Sequence, residues 1–212
     1  MHNKFYGDDS MLTIERLLSF QKDDLPEASK ALSEDELGQL VDWLSQNDDT
    51  IRYQSFLLLQ HRSGYLEDVY PYWEVFVEKL KSSNSYQRSI GLMLIAANAK
   101  WDKNSMMDEI IDVYLSLLYD EKPITVRQCI QSLCVIIPYK KHLLLKIADK
   151  LMSFDITRVR ETMRKLVLTD ILTALALIRK QQPDKEIDSY IFNALSGGKL
   201  DKKAIKQVEA ML

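Results

Sequence analysis

Four stretches of this chain come into register when Arg52, Arg88, Arg127 and Arg160 are superposed. No other feature narrows the possible folds so far. Six positions after each arginine stands Leu58, Leu94, Leu133 or Leu166, and seven after stands Leu59, Ile95, Cys134 or Val167. One before stands Ile51, Gln87, Val126 or Val159, and Leu44, Leu80, Leu118 and Leu151 precede the four arginines by eight or nine. The separations of 36, 39 and 33 residues are those of stacked supersecondary units, none able to bury its apolar stripe alone.

Each unit reads as helix, short turn, helix. Ser33 and Glu36 form a capping box that opens the first helix, and Leu37, Leu40, Val41 and Leu44 follow at helical spacing. Asn47-Asp48-Asp49 breaks that helix and caps a second one ending at Gly64. The next unit pairs Tyr72–Leu80 with Tyr86–Ala99, with Pro71 at a first helical position. The third runs from a cap at Ser105 to Tyr119, then from Thr125 to Pro138. In the fourth, His142–Met152 precedes a long helix from Thr157 to about Lys180. Met11–Phe20 reads as an N-terminal capping helix. Ile187–Leu195 ends at Gly197-Gly198, and Asp201 caps a last helix to Leu212. Connections this short impose antiparallel neighbours.

Composition agrees. With 6 Gly and 5 Pro in 212 residues, tight turns are scarce and a β-sandwich or barrel is disfavoured. A chain of this size buries roughly 70% of its unfolded surface, so one core needs no staple. Cys129 and Cys134 lie five apart, about 140° around a helix, and are expected to be reduced core thiols. The start, Met1-His2-Asn3-Lys4-Phe5, lacks the apolar stretch of a signal peptide. Leu166–Ile178 contains Asp170 and falls short of the ~20 residues that span a bilayer. A soluble, cytoplasmic protein is expected. Net charge is −3, which argues against indiscriminate nucleic-acid binding. The charge is uneven: residues 1–70 hold 6 Lys+Arg against 14 Asp+Glu, and residues 71–212 hold 22 against 17.

The units resemble HEAT repeats, an armadillo-type arrangement. The residues that carry the resemblance are Val126-Arg127 and Val159-Arg160 at the start of the second helix, with Ile51-Arg52 close to the pattern. Asp48, Asp120 and Asp155 stand in the turn, with Asn84 as a departure. Further departures are the missing mid-helix proline in the first helices and Ile130 and Met163 where a small residue is usual. The resemblance implies an all-α, right-handed α-α superhelix of about five antiparallel helix pairs. It also implies a structural Arg–Asp ladder between adjacent units. Residues 1–212 would form one domain: an N-terminal capping segment over 1–32, four repeats over 33–180 and a C-terminal capping pair over 181–212.

Catalytic signals are sparse. His2, His61 and His142 share no ligand spacing, no phosphate loop or nucleophile elbow occurs, and no metal or cofactor is expected. Trp43, Trp73 and Trp101 fall in different registers and do not form one stacking platform. Asp170 interrupts an apolar helix; it either sits beside an arginine of the previous unit or is buried with a raised pKa that would mark a site. Second helices of such repeats usually line the concave face. On them Arg88, Arg127, Gln131, Arg160, Arg164 and Lys165 form a basic, amide-rich strip. That strip is either a solvated face or a groove for an acidic segment of a partner protein. The leading functional expectation is a non-enzymatic interaction or scaffold module binding through that face. The alternative is a DNA-alkylation-repair-type glycosylase with HEAT-like repeats, in which Asp170, Arg127 and Arg164 are conceivable counterparts by chemistry alone.

Overall fold

The computed structural model describes residues 11–212; the stretch before Met11, with His2, lies outside the described residues. Among the described residues the protein is all-α, with twelve helices, four short 3₁₀ turns and no strand. Helices α1 (Ile14–Ser19) and α2 (Leu25–Lys30) come first. Then α3 (Glu34–Trp43) precedes α4 (Asp49–Ser63), α5 (Trp73–Leu80) precedes α6 (Ser85–Asn98), α7 (Met106–Ser116) precedes α8 (Pro123–Ile136), and α9 (Leu144–Met152) precedes α10 (Glu161–Gln181). Helices α11 (Lys185–Ser196) and α12 (Lys202–Glu209) end the chain. The second members form a row: α4 lies on α6, α6 on α8 and α8 on α10. Helices α3, α5 and α9 pack on their own partners, and the 3₁₀ turn Leu117–Tyr119 after α7 lies on α8. No helix among the described residues is long and apolar enough to cross a membrane.

Local chemistry explains most boundaries. The capping box of Ser33 and Glu36 forms as expected, with both reciprocal hydrogen bonds present. Asp48 and Asn84 cap α4 and α6, and Asp120 and Asp155 make the same hydrogen bond in the turns before α8 and α10. Asp48, Asn84, Asp120 and Asp155 each accept the backbone N–H two residues on, at 2.8, 2.9, 2.8 and 2.9 Å. This Asx column is a more regular repeat than the arginine column. Arg52 and Arg88 each lie four residues beyond their turn residue, whereas Arg127 lies seven beyond Asp120, chiefly because α8 begins two residues later after its turn residue than α4 and α6 do.

Two expectations need correction. Leu58, Leu94 and Leu133 are fully buried, but Leu166 is 39% exposed. The cause is the start of α10. Asp155 caps a 3₁₀ turn, Ile156–Arg158, after which Val159 and Arg160 are extended, so the α-helix begins only at Glu161. Arg160 thus becomes the cap residue instead of an early helical one, and rotation of the helix gives the buried place to Val167. The second correction concerns α7. Ser105 precedes it in a left-handed conformation (φ 58°) and makes no side-chain cap. The Asp102 carboxylate caps the helix instead, accepting the N–H groups of Met106 at 2.9 Å and Met107 at 3.0 Å. Helix α2, with Pro26 in its first turn, was not anticipated, and the N-terminal helix is shorter than Met11–Phe20.

Candidate functional site

The early arginines of α4 and α6 turn inward instead of lining a solvated strip. Arg88 donates Nη1 to the Ser82 and Ser83 carbonyls at 2.8 and 3.0 Å, binding its own turn. Its Nε and Nη2 grip the Asp120 carboxylate of the next unit at 2.6 and 2.9 Å, and both side chains are buried. That planar two-point pairing holds the Arg88 guanidinium above its ordinary pKa. Arg88 is therefore a structural tie between units and is withdrawn from the partner-facing strip. Arg52 is buried in the same way, donating Nη1 to Gln46 O at 2.8 Å.

Arg127, Gln131 and Asp170 do come together. Arg127, the fifth residue of its helix where Arg52 and Arg88 are the fourth of theirs, reaches α10 itself instead of the Asp155 turn. Its Nε and Nη2 lie 2.6 and 3.2 Å from the Asp170 carboxylate, which also accepts Gln131 Nε2 at 3.2 Å. Asp170 thus stands beside an arginine of the preceding unit, one of the two arrangements the sequence allowed. A cavity of about 260 Å³ opens here, with Lys165, Thr169 and Asp201 also in its wall. Lys165 pairs with Asp201 of α12 at 2.7 Å. Arg164 turns back on its own turn much as Arg52 and Arg88 do, donating Nε to Val159 O at 3.2 Å. Arg160 is exposed, and no ion pair involves it among the described residues. A second cavity of about 310 Å³ brings Arg164 and Lys165 beside Lys199 and Glu161.

A third feature escaped the sequence reading. Between α4 and α6 lies a mostly apolar groove of about 460 Å³, walled by Tyr53, Phe56, Tyr86, Ile90 and Met93. Tyr53 and Tyr86 are 60% and 67% exposed, and Arg52 lies 5.9 Å from the centre of the Tyr86 ring. The signal available in the sequence was an aromatic residue within two positions of the arginine in both units, on the outward side of each helix. Ile124 and Val135 of α8 and Leu166 of α10 are also exposed.

The remaining candidates are structural. Cys129 is fully buried, and burial raises its thiol; Cys134 is pushed up to about 12, first by burial and then by Asp170. His142 Nε2 lies 2.6 Å from Asp108 on the surface. Trp73 is buried, while Trp101 donates Nε1 to Ser63 O at 2.8 Å. Among the described residues no group of three or more His, Cys, Asp or Glu side chains is placed to hold a metal ion. No protein-family model matches the chain, and no curated protein matches it significantly.

Proposed function

We propose that this protein is a non-enzymatic interaction module: an armadillo-type, HEAT-like right-handed solenoid that captures an extended segment of a partner protein along its second helices. The observation that carries this reading is the aromatic groove between α4 and α6. Monomeric proteins rarely leave large aromatic side chains grouped at the surface without a use, and tyrosines are favoured anchors because they bury large area at little entropic cost. In support of the solenoid, the row α4, α6, α8, α10 and the Asx column Asp48, Asn84, Asp120, Asp155 repeat together. At the other end of the row stand Arg160, Arg164, Lys165 and Lys199, with Arg127 and Gln131 between. A segment carrying an apolar residue for the groove and acidic residues for the α10 end fits that polarity. Arg127 and Asp170 lie beside its path as a mutually neutralised pair.

The test is site-specific photo-crosslinking from position 89, in the wall of the groove, in the native cell, followed by identification of the captured protein. Tyr53→Ala with Tyr86→Ala should abolish capture of that protein. Arg160→Glu with Lys199→Glu should weaken it, more so at low salt, where exposed charges act beyond about 10 Å. Neither pair should move the melting temperature appreciably: exposed charges contribute only about 0–1 kcal/mol each, and Tyr53 and Tyr86 are mostly exposed, where substitutions usually change stability by about 0.5 kcal/mol or less. Capture unchanged by both double variants would place the binding surface elsewhere.

A further inference from the structure

We propose that a cavity at the turn edge of α3, α4, α5 and α6 is a carboxylate-binding site, occupying a place where the chain's own inter-unit carboxylate is missing. The cavity measures about 530 Å³ and its wall includes Ser45, Arg52, Lys79, Asn84 and Gln87. The next pair of units supplies an internal template. There Arg88 and Asp120, 32 residues apart, form the buried two-point ion pair. Arg52 is the counterpart of Arg88. It lies at the same distance from its turn residue, and its Nη1 likewise donates to a carbonyl six residues back. The counterpart of Asp120 is Asn84, which accepts the backbone N–H two residues on as Asp120 does. A neutral amide therefore stands where the template has a carboxylate. Arg52 turns to Asp49 on its own helix, a side chain that is largely exposed.

A second cation makes the deficit larger. Lys79 of α5 is buried in the same cavity, and its ammonium donates to two neutral oxygens, Gln87 Oε1 at 2.7 Å and Ser45 Oγ at 3.1 Å. Gln87 is itself spent on the Leu44 carbonyl at 2.7 Å. The contrast is Lys140, equally buried, which has Asp102 at 2.7 Å. Buried cations are normally paired. Burial first, and the nearby Arg52 charge second, pull the Lys79 pKa below its ordinary value, as expected for an ammonium short of a counter-ion. The one carboxylate in the cavity wall, Glu78, sits at the exposed rim and pairs with Lys81 at 2.7 Å. An ammonium has three donors and a guanidinium five, so both cations keep N–H groups free for a ligand. The planar fork of an arginine suits a carboxylate, and the Asp120 template selects that chemistry over phosphate. The occupant is an Asp or Glu side chain of a polypeptide or a small carboxylic acid. The inference does not depend on capture along the second helices.

Thermal unfolding of the full chain tests it, with chloride as the control at matched ionic strength. Glutarate and a blocked Gly-Glu-Gly peptide present the same carboxylate from the two sources. For a ligand near ten times its Kd, the melting temperature should rise by roughly 3–6 °C. The source that achieves this at the lower concentration is the native one. Asn84→Asp keeps a good cap residue and restores the missing carboxylate, so it should raise the melting temperature alone and lose the response. Lys79→Met should also lose the response, and the Arg52 Nε–H resonance should shift with ligand in the parent only. A parent that responds to neither carboxylate, or an Asn84→Asp variant that responds as strongly as the parent, overturns the proposal. Tighter binding of inorganic phosphate than of both carboxylates overturns the carboxylate assignment.

Discussion

Lys140 Nζ lies 2.7 Å from the Asp102 carboxylate and 2.8 Å from the Asp102 carbonyl, with both side chains shut away from solvent. The same carboxylate accepts Tyr70 OH at 2.8 Å and caps α7. Tyr70, Asp102 and Lys140 stand in three successive connections between units, so one buried carboxylate fastens three layers. Removing it leaves a buried ammonium with only the Asp102 carbonyl as its partner, and takes the acceptor from a half-buried phenol and two helix N–H groups. Asp102→Ala should therefore cost about 3–5 kcal/mol in urea unfolding. Adding Lys140→Met should recover part of that loss, because no charge is then left buried. A double variant no more stable than Asp102→Ala would show that Lys140 is not the partner that matters.

The same group contributes to acid sensitivity. Burial alone would raise the Asp102 pKa, but hydrogen bonds from Lys140, Met107 N, Tyr70 and Met106 N outweigh it and hold the carboxyl below its ordinary 3.8. A carboxyl depressed in the folded state contributes stability that is complete above its unfolded pKa of about 3.9 and lost as pH falls through the folded value. Stability should decline from about pH 4 downward. Asp102→Asn should be less stable at neutral pH and flatter in this window; curves that stay parallel would contradict the assignment.

The leucine column gives a graded comparison. Leu133 is fully buried, and Leu133→Ala should cost about 2–5 kcal/mol through lost burial and the cavity left. Leu166, at 39% exposure, should cost about 1 kcal/mol or less. Equal losses would mean that α10 begins earlier than Glu161.

Two helical glycines should respond oppositely to alanine. A Cβ on Gly91 would lie 2.7 Å from the Phe76 carbonyl oxygen and 3.0 Å from Leu80 on α5. Backbone cannot step aside as a side chain can, so overpacking of about 1–3 kcal/mol outweighs the roughly 1 kcal/mol gained in helix propensity. On Gly38 the nearest atom is the Tyr72 hydroxyl at 3.4 Å, and Gly38→Ala should stabilise by up to about 1 kcal/mol. Chemical denaturation of both variants checks the signs.

What residue order alone settled was much of what neighbours within a turn or two govern, though it placed the cap of α7 on Ser105 and not on Asp102. Helical spacing of Leu37, Leu40, Val41 and Leu44, the Ser33–Glu36 box, the Asp48 and Asp201 caps and the breaks at Gly64 and Pro138 depend on local hydrogen bonds and rotation about one axis. The residues Arg127, Gln131 and Asp170 could be named, and Asp170 beside an arginine of the preceding unit was one of two arrangements left open, but the meeting across 43 and 39 positions was decided only in three dimensions. Tertiary structure decided the rest. Whether Arg160 and Leu166 continue the column depended on two residues before α10 that leave the helical conformation after the Asp155 turn. Arg88 closing on Asp120, Lys140 closing on Asp102 and the groove flanked by Tyr53 and Tyr86 all need chain segments about thirty to forty residues apart brought into contact. Such contacts depend on how far each helix is rotated and where it starts; a shift of one residue turns a side chain by about 100° and takes it from core to surface.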